Sequence, residues 1–202
     1  MLRGAAREVR VNHDLLSQLD SFGGDGDHGT TMVRAMDCLE RAMDRAPAGD
    51  IKALLTEVGW AIMGVDGGAT GPLLGSLFAG MAEPLDETQS IDVAMLARMF
   101  AAALASVRNL TQAKVGDKTM MDALIPAVEA LRTAAEQRAA VDAALARAAE
   151  AASTGAEATK DMQARFGRAK NIGEKSKGRP DPGAVSVSLL FRGFAQGVNS
   201  NG

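Results

Sequence analysis

The residues best suited to chemistry stand close together early in the chain: Asp20, followed by Gly24-Asp25-Gly26-Asp27-His28-Gly29. Three carboxylates fall within eight residues, and Asp20 closes a helical pattern, where negative charge opposes the helix dipole. Such crowding costs stability unless a cation neutralises it. A hard oxygen set suits Mg2+, Mn2+ or Ca2+ rather than zinc. An EF-hand is excluded, because the position that would supply its bidentate Glu, eleven residues after Asp25, is Met36. Mg2+ takes only one or two protein carboxylates per ion and leaves the rest of its sphere to water and phosphate, so three Asp can serve two ions that share a polyphosphate. The plain alternative is an exposed polar turn, in which Asp and Gly are simply good turn residues. A single Asp-Gly pair would read that way; three aspartates in one segment weigh against it. Gly24, Gly26 and Gly29 also satisfy G-x-G-x-x-G. A helix precedes them where the dinucleotide fingerprint needs a strand, and Asp25 and Asp27 would repel a metal-free pyrophosphate, so that reading is rejected.

Three further segments carry related signals. Gly67-Gly68-Ala69-Thr70-Gly71-Pro72 ends in a proline suited to a first helical position, with Thr70 or Gly71 as cap. Glycines let backbone N–H groups approach an anion, and a helix N-terminus favours negative charge; an ordinary helix–helix turn would have the same composition. Asp181-Pro182-Gly183-Ala184 repeats the pattern, with Asp181 as N-cap and Pro182 at the first helical position. Ahead of it, residues 165–179 hold Arg165, Arg168, Lys170, Lys175, Lys177 and Arg179 against only Glu174. A basic, glycine-spaced loop can close over a metal-bound phosphate, although a charge run is more often a solvated face. Gly116-Asp117-Lys118-Thr119 is not a Walker A motif, because it lacks the Gly-Lys-Thr order and the upstream glycine. His13 reads as a surface residue, Cys38 as core, and the methionines at 32, 36 and 43 as packing.

Helices must position these segments. The chain has 202 residues, a net charge of −3, 47% hydrophobic residues and 3% aromatic residues. That balance excludes a general nucleic-acid binder. One cysteine rules out an internal disulfide and fits a reducing, cytoplasmic compartment. No run approaches the ~18 apolar residues of a membrane span, and Met1 to Asn12 lacks the apolar stretch of a secretory signal. The apolar mass is Ala, Leu and Met, good helix formers. Apolar spacing of three and four recurs in Met32, Met36, Leu39, Met43; in Leu96, Phe100, Ala103, Val107; in Met121, Leu124, Val128, Leu131; and in Val187, Leu190, Phe191, Phe194. An all-α single domain over 1–202 follows, with eight helices expected at 2–20, 29–45, 50–65, 70–83, 90–109, 118–134, 138–165 and 182–198. Pro47 to Asp50 and Pro84 with Asp86 to Ser90 mark two of the breaks. The glycines are read as lying outside helices, in the connections Phe22 to Gly29, Gly64 to Gly71, Val115 to Lys118 and Ile172 to Gly183. In an antiparallel bundle the first, third, fifth and seventh connections emerge at one end, so the chemistry is expected to gather there.

The ordered set of Asp20, Gly24-Asp25-Gly26-Asp27-His28-Gly29, Gly67 to Pro72, Gly116-Asp117-Lys118-Thr119-Met120 with Asp122, Gly167-Arg168-Ala169, Gly173-Glu174 and Asp181 to Ala184 resembles the motif series of the dihydroxyacetone kinase L domain, the DhaL family. It runs through essentially the whole chain. The resemblance implies an eight-helix antiparallel barrel with a nucleotide, ADP or ATP, and two Mg2+ at one end. By position, Asp20, Asp25 and Asp27 would ligate the metals, and these with Arg168 would serve phosphoryl transfer. His28, Gly29, Thr30, Thr31, Ala69, Thr70, Thr111, Met120, Arg168, Asp181, Pro182 and Gly183 would surround the nucleotide. Thr70 stands where relatives often carry Ser, Thr111 where some carry Gly, and the first helix looks short.

The implied reaction is phosphoryl transfer to a small ketose such as dihydroxyacetone, held by a separate DhaK-like subunit. ATP would be consumed, or bound ADP would be rephosphorylated by a DhaM-like phosphotransferase protein fed from phosphoenolpyruvate; separate subunits lean towards the second route. The resemblance leaves a homodimer open. Two other readings remain: a nucleotide-sensing regulatory subunit, and a phosphoryl donor for a different acceptor-carrying partner. A plain helical scaffold with an acidic turn would show no nucleotide affinity at all.

Overall fold

The computed structural model describes residues 1–47, 49–86 and 90–199. Parts of two expected breaks, Ala48 and residues 87–89, lie outside the described residues. The described chain is helical throughout, with no strand: α1 Leu2–Val11, α2 His13–Asp20, α3 His28–Arg45, α4 Ile51–Met63, α5 Thr70–Ala82, α6 Val93–Arg108, α7 Met121–Glu136, α8 Val141–Ala158 and α9 Pro182–Asn199. Short 3-10 segments cover Thr159–Asp161 and Arg168–Ser176.

Helices α6 and α8 start three residues later than the expected 90 and 138, and three further differences have a local cause. The first helix is two helices, because Asn12 leaves helical geometry at φ −104°, ψ 16°. Its side-chain Nδ2 donates to the Glu8 carbonyl at 2.8 Å, the local competition with the helix ladder that disfavours Asn in helix interiors. The seventh expected helix ends at Ala158 rather than 165, where the Thr159 hydroxyl donates to the Ala156 carbonyl at 2.6 Å and the chain tightens into a 3-10 turn. The sixth starts at Met121 rather than 118, because Asp122 accepts the Thr119 amide at 2.7 Å and holds the preceding loop off the helix axis.

Neighbouring helices pack in order, α3 on α4, α4 on α5 and so on to α9, and α9 packs on α1, closing the ring into a barrel. Each periodic stripe supplies its inner wall: Met36, Leu39, Phe100, Leu124, Leu131 and Phe194 are completely buried. Phe100, Phe191 and Phe194 form a ring cluster with centroids 5.0–5.9 Å apart. Cys38 sits at the edge of the core, half-buried, with Arg41 Nη2 3.1 Å from its sulfur.

The expectation that glycines avoid the helices does not hold. Gly4 and Gly193 let α1 and α9 touch backbone to backbone, and a Cβ on Gly155 would collide with the Asp122 carbonyl across the α7–α8 seam. A barrel of short helices uses glycine for close approach as well as for turns. None of the described helices is long and apolar enough to cross a membrane.

Candidate functional site

The α2–α3, α4–α5 and α6–α7 connections and the long segment between α8 and α9 meet at one end of the barrel, where they line two adjoining hollows. The smaller, of about 250 Å³, is bordered by Asp20, Asp25, Asp27, Gly67, Gly68 and Arg168. The larger, of about 510 Å³, has mainly apolar walls, including Met32, Leu73, Leu110, Met120, Val187 and Leu190. His28, Ala69, Thr70, Phe166, Gly167 and Asp181 border both. One opening thus leads from an acidic, polar end to an apolar end.

The acidic end is built by the α2–α3 turn. Asp20 is the last residue of α2, and its carbonyl accepts the amides of Gly23 and Gly24 at 3.1 and 2.6 Å, which folds the chain back at once. A Cβ on Gly24 would run into the Asp20 carboxylate, and Gly26 takes φ +78°, so both glycines are demanded by the turn. The result places one carboxylate oxygen from each of Asp20, Asp25 and Asp27 within 4.8 Å of the others. Oxygen donors converging this closely, with no buried lysine among them, suit a hard divalent cation.

Electrostatics fit that reading. Arg168 forms an ion pair with Asp25, and this contact holds the Asp25 carboxyl below its usual range. Desolvation and then the Asp25 charge push Asp27 upward, as expected when two carboxylates share a site. The guanidinium is the only cation paired with the cluster among the described residues. The residues present therefore fit a divalent ion, with Asp20, Asp25 and Asp27 as its protein ligands.

His28 opens α3 between the two hollows. Its Nε2 lies 2.8 Å from Ser186 Oγ, its Nδ1 3.4 Å from Thr70 Oγ1, and its backbone amide donates to Asp20 Oδ2 at 3.4 Å. Burial lowers the imidazole pKa against the pull of Asp20 and Asp27, so the ring is held neutral, one nitrogen donating and the other accepting. Gly29, Thr30 and Thr31 form the first turn of the same helix but line neither hollow. Thr31 is buried against Gly67, Thr30 Oγ1 sits 3.2 Å from His13 Nε2, and Gly29 packs beneath the His13 carbonyl and Ser17. What this turn offers the cleft is the N-terminal end of a helix.

Ala69 caps α5 and Thr70 begins it, so Pro72 falls at the third helical position and neither Thr70 nor Gly71 is the cap. Thr111 lines the apolar hollow, and its hydroxyl accepts the Ala113 amide at 3.2 Å, so it braces its own loop. Met120 caps α7 in the same wall. Asp181 caps α9 as expected, accepting the Ala184 amide at 2.8 Å, with Pro182 as the first helical residue and Gly183 in the wall of the large hollow.

Sequence reasoning passed over several residues that the fold brings here. Lys118, Phe166, Gly167 and Ser186 all border the large hollow, and Asp122 is buried behind it. Rejecting Walker A left Lys118 without a role, although a lysine flanked by Gly116, Asp117 and Thr119 in a loop between two helices was signal enough to keep it.

Asp181 is half-buried, and desolvation pushes its pKa up to about 7 despite the Ala184 amide and the Lys118 charge. The folded value lies above the unfolded one, so the fold binds the proton more tightly. The contribution of Asp181 to stability is then greatest at low pH and falls as pH rises from its ordinary value of 3.8 through about 7. In Asp181→Asn this slope is expected to vanish, which thermal midpoints of the nucleotide-free protein across that range will check.

Comparison with known proteins agrees with this geometry. Residues 23–196 match the DAK2 domain. The "PEP-dependent dihydroxyacetone kinase, ADP-binding subunit DhaL" of Escherichia coli is 37% identical over 182 residues, covering 90% of this chain and 87% of that protein. A protein of the same description from Listeria innocua is 35% identical, covering 96% and 92%. The L-erythrulose 1-kinase of Mycolicibacterium smegmatis is 34% identical, with this chain spanning 32% of its length. Among solved structures, the dihydroxyacetone kinase of C. freundii in complex with AMP-PNP and Mg2+ superposes with a TM-score of 0.73 at 25% identity, covering 97% of this chain and 33% of that one. A helical barrel with a triple-aspartate turn at its open end, matched along nearly its whole length, places the chain in the DAK2 domain family, with the ADP-binding DhaL subunits of dihydroxyacetone kinases.

Proposed function

We propose that this chain is the nucleotide-carrying subunit of a dihydroxyacetone-type kinase, holding ADP or ATP with Mg2+ and serving phosphoryl transfer to a small ketose. The observation that carries the reading is the continuity of an apolar hollow of about 510 Å³ with a triple-aspartate cleft. A nucleotide has the same polarity, apolar at its base and anionic at its phosphates. Asp20, Asp25 and Asp27 would hold the metal, two ions by the count expected from their number. Bound Mg2+ would supply charge neutralisation for a transferring phosphoryl group.

The chain's own residues do the rest. Met120, Thr111 and Ala69 wall the base. His28 and the N-terminal end of α3, with Thr70 and Asp181 to Gly183 at the openings of α5 and α9, face the sugar and phosphates. Neutral His28 donates or accepts without adding charge. Arg168, paired with Asp25, is placed to turn its guanidinium to a phosphate once the aspartates are otherwise neutralised.

The ketose is held by a separate DhaK-like subunit. Leu110 and Phe166, both exposed, border the large hollow, and Phe22 and Val115 are exposed on the α2–α3 and α6–α7 loops that build the site, giving that subunit apolar surface to cover. Relatives named as phosphoenolpyruvate-dependent or PTS-dependent favour bound ADP rephosphorylated by a DhaM-like protein over free ATP.

Reconstitution tests this directly. The chain mixed with the dihydroxyacetone-holding subunit is expected to produce a triose phosphate when the phosphoenolpyruvate-fed carrier is added, and little with ATP alone. Nucleotide binding with no turnover under either donor would leave a sensor, not a kinase subunit.

A further inference from the structure

Lys118 is one of two non-glycine residues with positive φ among those described, at φ 60°, and it is 5% exposed. Its Nζ donates to the Thr159 carbonyl at 2.5 Å and the Arg179 carbonyl at 2.6 Å. Those carbonyls stand near the two ends of the segment that carries Arg168. Thr159 terminates α8, where helix carbonyls lack intrahelical partners and the dipole favours a cation. Thr159 is itself a node: it is fully buried, and its hydroxyl accepts the Asp181 amide at 2.7 Å. The Gly178 amide closes the same seam by donating to the Lys160 carbonyl at 2.7 Å. On the other side, Lys118 belongs to the α6–α7 loop, whose amides at Gly116 and Thr119 are fixed by Asp122 at 2.6 and 2.7 Å. The Asp181, Asp122 and Asp161 charges all act on the ammonium and offset part of its desolvation. One ammonium thus joins the loop that presents Met120 to the base of the segment that presents Arg168 and Asp181.

We propose that Lys118 is a positioning residue of this nucleotide site: it pins the Arg168 segment at both ends and so sets the distance between the apolar wall and the acidic cleft. The proposal rests on the nucleotide reading above. Binding by the unaltered chain tests that reading, and the variants test only the lysine. The strained backbone supports the role, because a lysine costs more than glycine or asparagine at positive φ and is retained for its side chain. Two backbone carbonyls are its partners, so the ammonium is needed for its N–H groups in that place and not for a charge pair with one side chain.

Lys118→Met keeps length and backbone strain but removes the donors. Its Kd for Mg-ADP is expected to rise by about tenfold or more, the scale on which outer supporting contacts act. Amide exchange is expected to quicken over residues 162–181 while α4 and α5 stay protected. Affinity for Mn2+ alone, read by its electron paramagnetic resonance signal, is expected to stay within about twofold, because the aspartate turn is built without Lys118. In Lys118→Ala, n-propylammonium is expected to restore Mg-ADP affinity, and tetramethylammonium, a cation with no N–H, is not. Unchanged nucleotide affinity in the methionine variant overturns the proposal, and so does a loss accompanied by uniform exchange across the barrel or equal rescue by both cations. If Lys118→Met does not fold, Lys118→Ala, measured with and without n-propylammonium, carries the same comparison, and unchanged Mg-ADP affinity without the amine overturns the proposal.

Discussion

Asp27→Asn is expected to leave a folded barrel that no longer responds to magnesium nucleotide. In the parent chain, ADP at ~100 times its Kd with excess Mg2+ should add about 2.7 kcal/mol, a rise of about 5–10 °C in thermal midpoint for a domain of this size. The variant should show none of that rise, and Asp25→Asn should behave alike, because among the described residues the cluster offers three carboxylate ligands within 4.8 Å. The nucleotide-free Asp27→Asn protein should move the other way and melt above the nucleotide-free parent. Asp27 is pushed up by desolvation and by Asp25, so its ionised form is held at a cost that an amide does not bear. The linkage signs of the two aspartates differ. Asp25, held low by Arg168, contributes stability above its unfolded pKa that is lost as pH falls. Asp27, held high, contributes most when protonated and loses that contribution as pH rises through its folded value. Protons also compete with metal at Asp27, so Mg-ADP affinity in the parent chain should weaken on acidification through the raised pKa of Asp27, with midpoints at fixed ADP and Mg2+ as the readout. A midpoint rise in Asp27→Asn equal to that of the parent chain would remove the aspartate cluster from the site.

Much of this site is legible in sequence because its chemistry depends on short-range order. Asp20, Asp25 and Asp27 are crowded within one turn, and crowded like charges announce a counter-ion without any tertiary information. Asp181-Pro182 states its own capping geometry, and the structure keeps it. The barrel follows from stripes such as Leu96, Phe100, Ala103 and Val107, all buried. What escapes depends on contacts between distant segments. Asn12 breaks the first helix through one side-chain bond that periodicity does not register. Gly4, Gly155 and Gly193 look like loop residues until two helices are brought together over them. Gly29, Thr30 and Thr31 lie beside the cleft in sequence, yet the helical turn packs Gly29 under the His13 carbonyl and points the Thr30 and Thr31 side chains towards His13 and Gly67. Lys118 acquires its role only when residues 41 and 61 positions away arrive at its ammonium.

Asp122→Ala carries the second large effect, through the loop that the apolar wall depends on. Asp122 is 1% exposed, and its two oxygens accept the Gly116 amide at 2.6 Å and the Thr119 amide at 2.7 Å. Hydrogen bonds to a charged group contribute about 1.5–3 kcal/mol each, and buried amides left without acceptors add their desolvation cost. A loss of about 3–5 kcal/mol follows, on the order of 10 °C in thermal midpoint. Asp122→Asn keeps one acceptor oxygen and should lose about half as much. The effect does not stop at stability. Gly116 and Thr119 flank Lys118, whose positive φ is held only while both neighbours are fixed, and Met120 follows directly in the wall of the large hollow. Across the seam α8 packs Gly155 onto the Asp122 carbonyl, so the helix ending at Thr159 is registered against the same residue. Titration calorimetry with Mg-ADP, at a temperature where Asp122→Ala is fully folded, should therefore show weaker nucleotide binding, while Mn2+ still binds the aspartate turn. Equal loss of both would mean that the two halves of the site are not independently built.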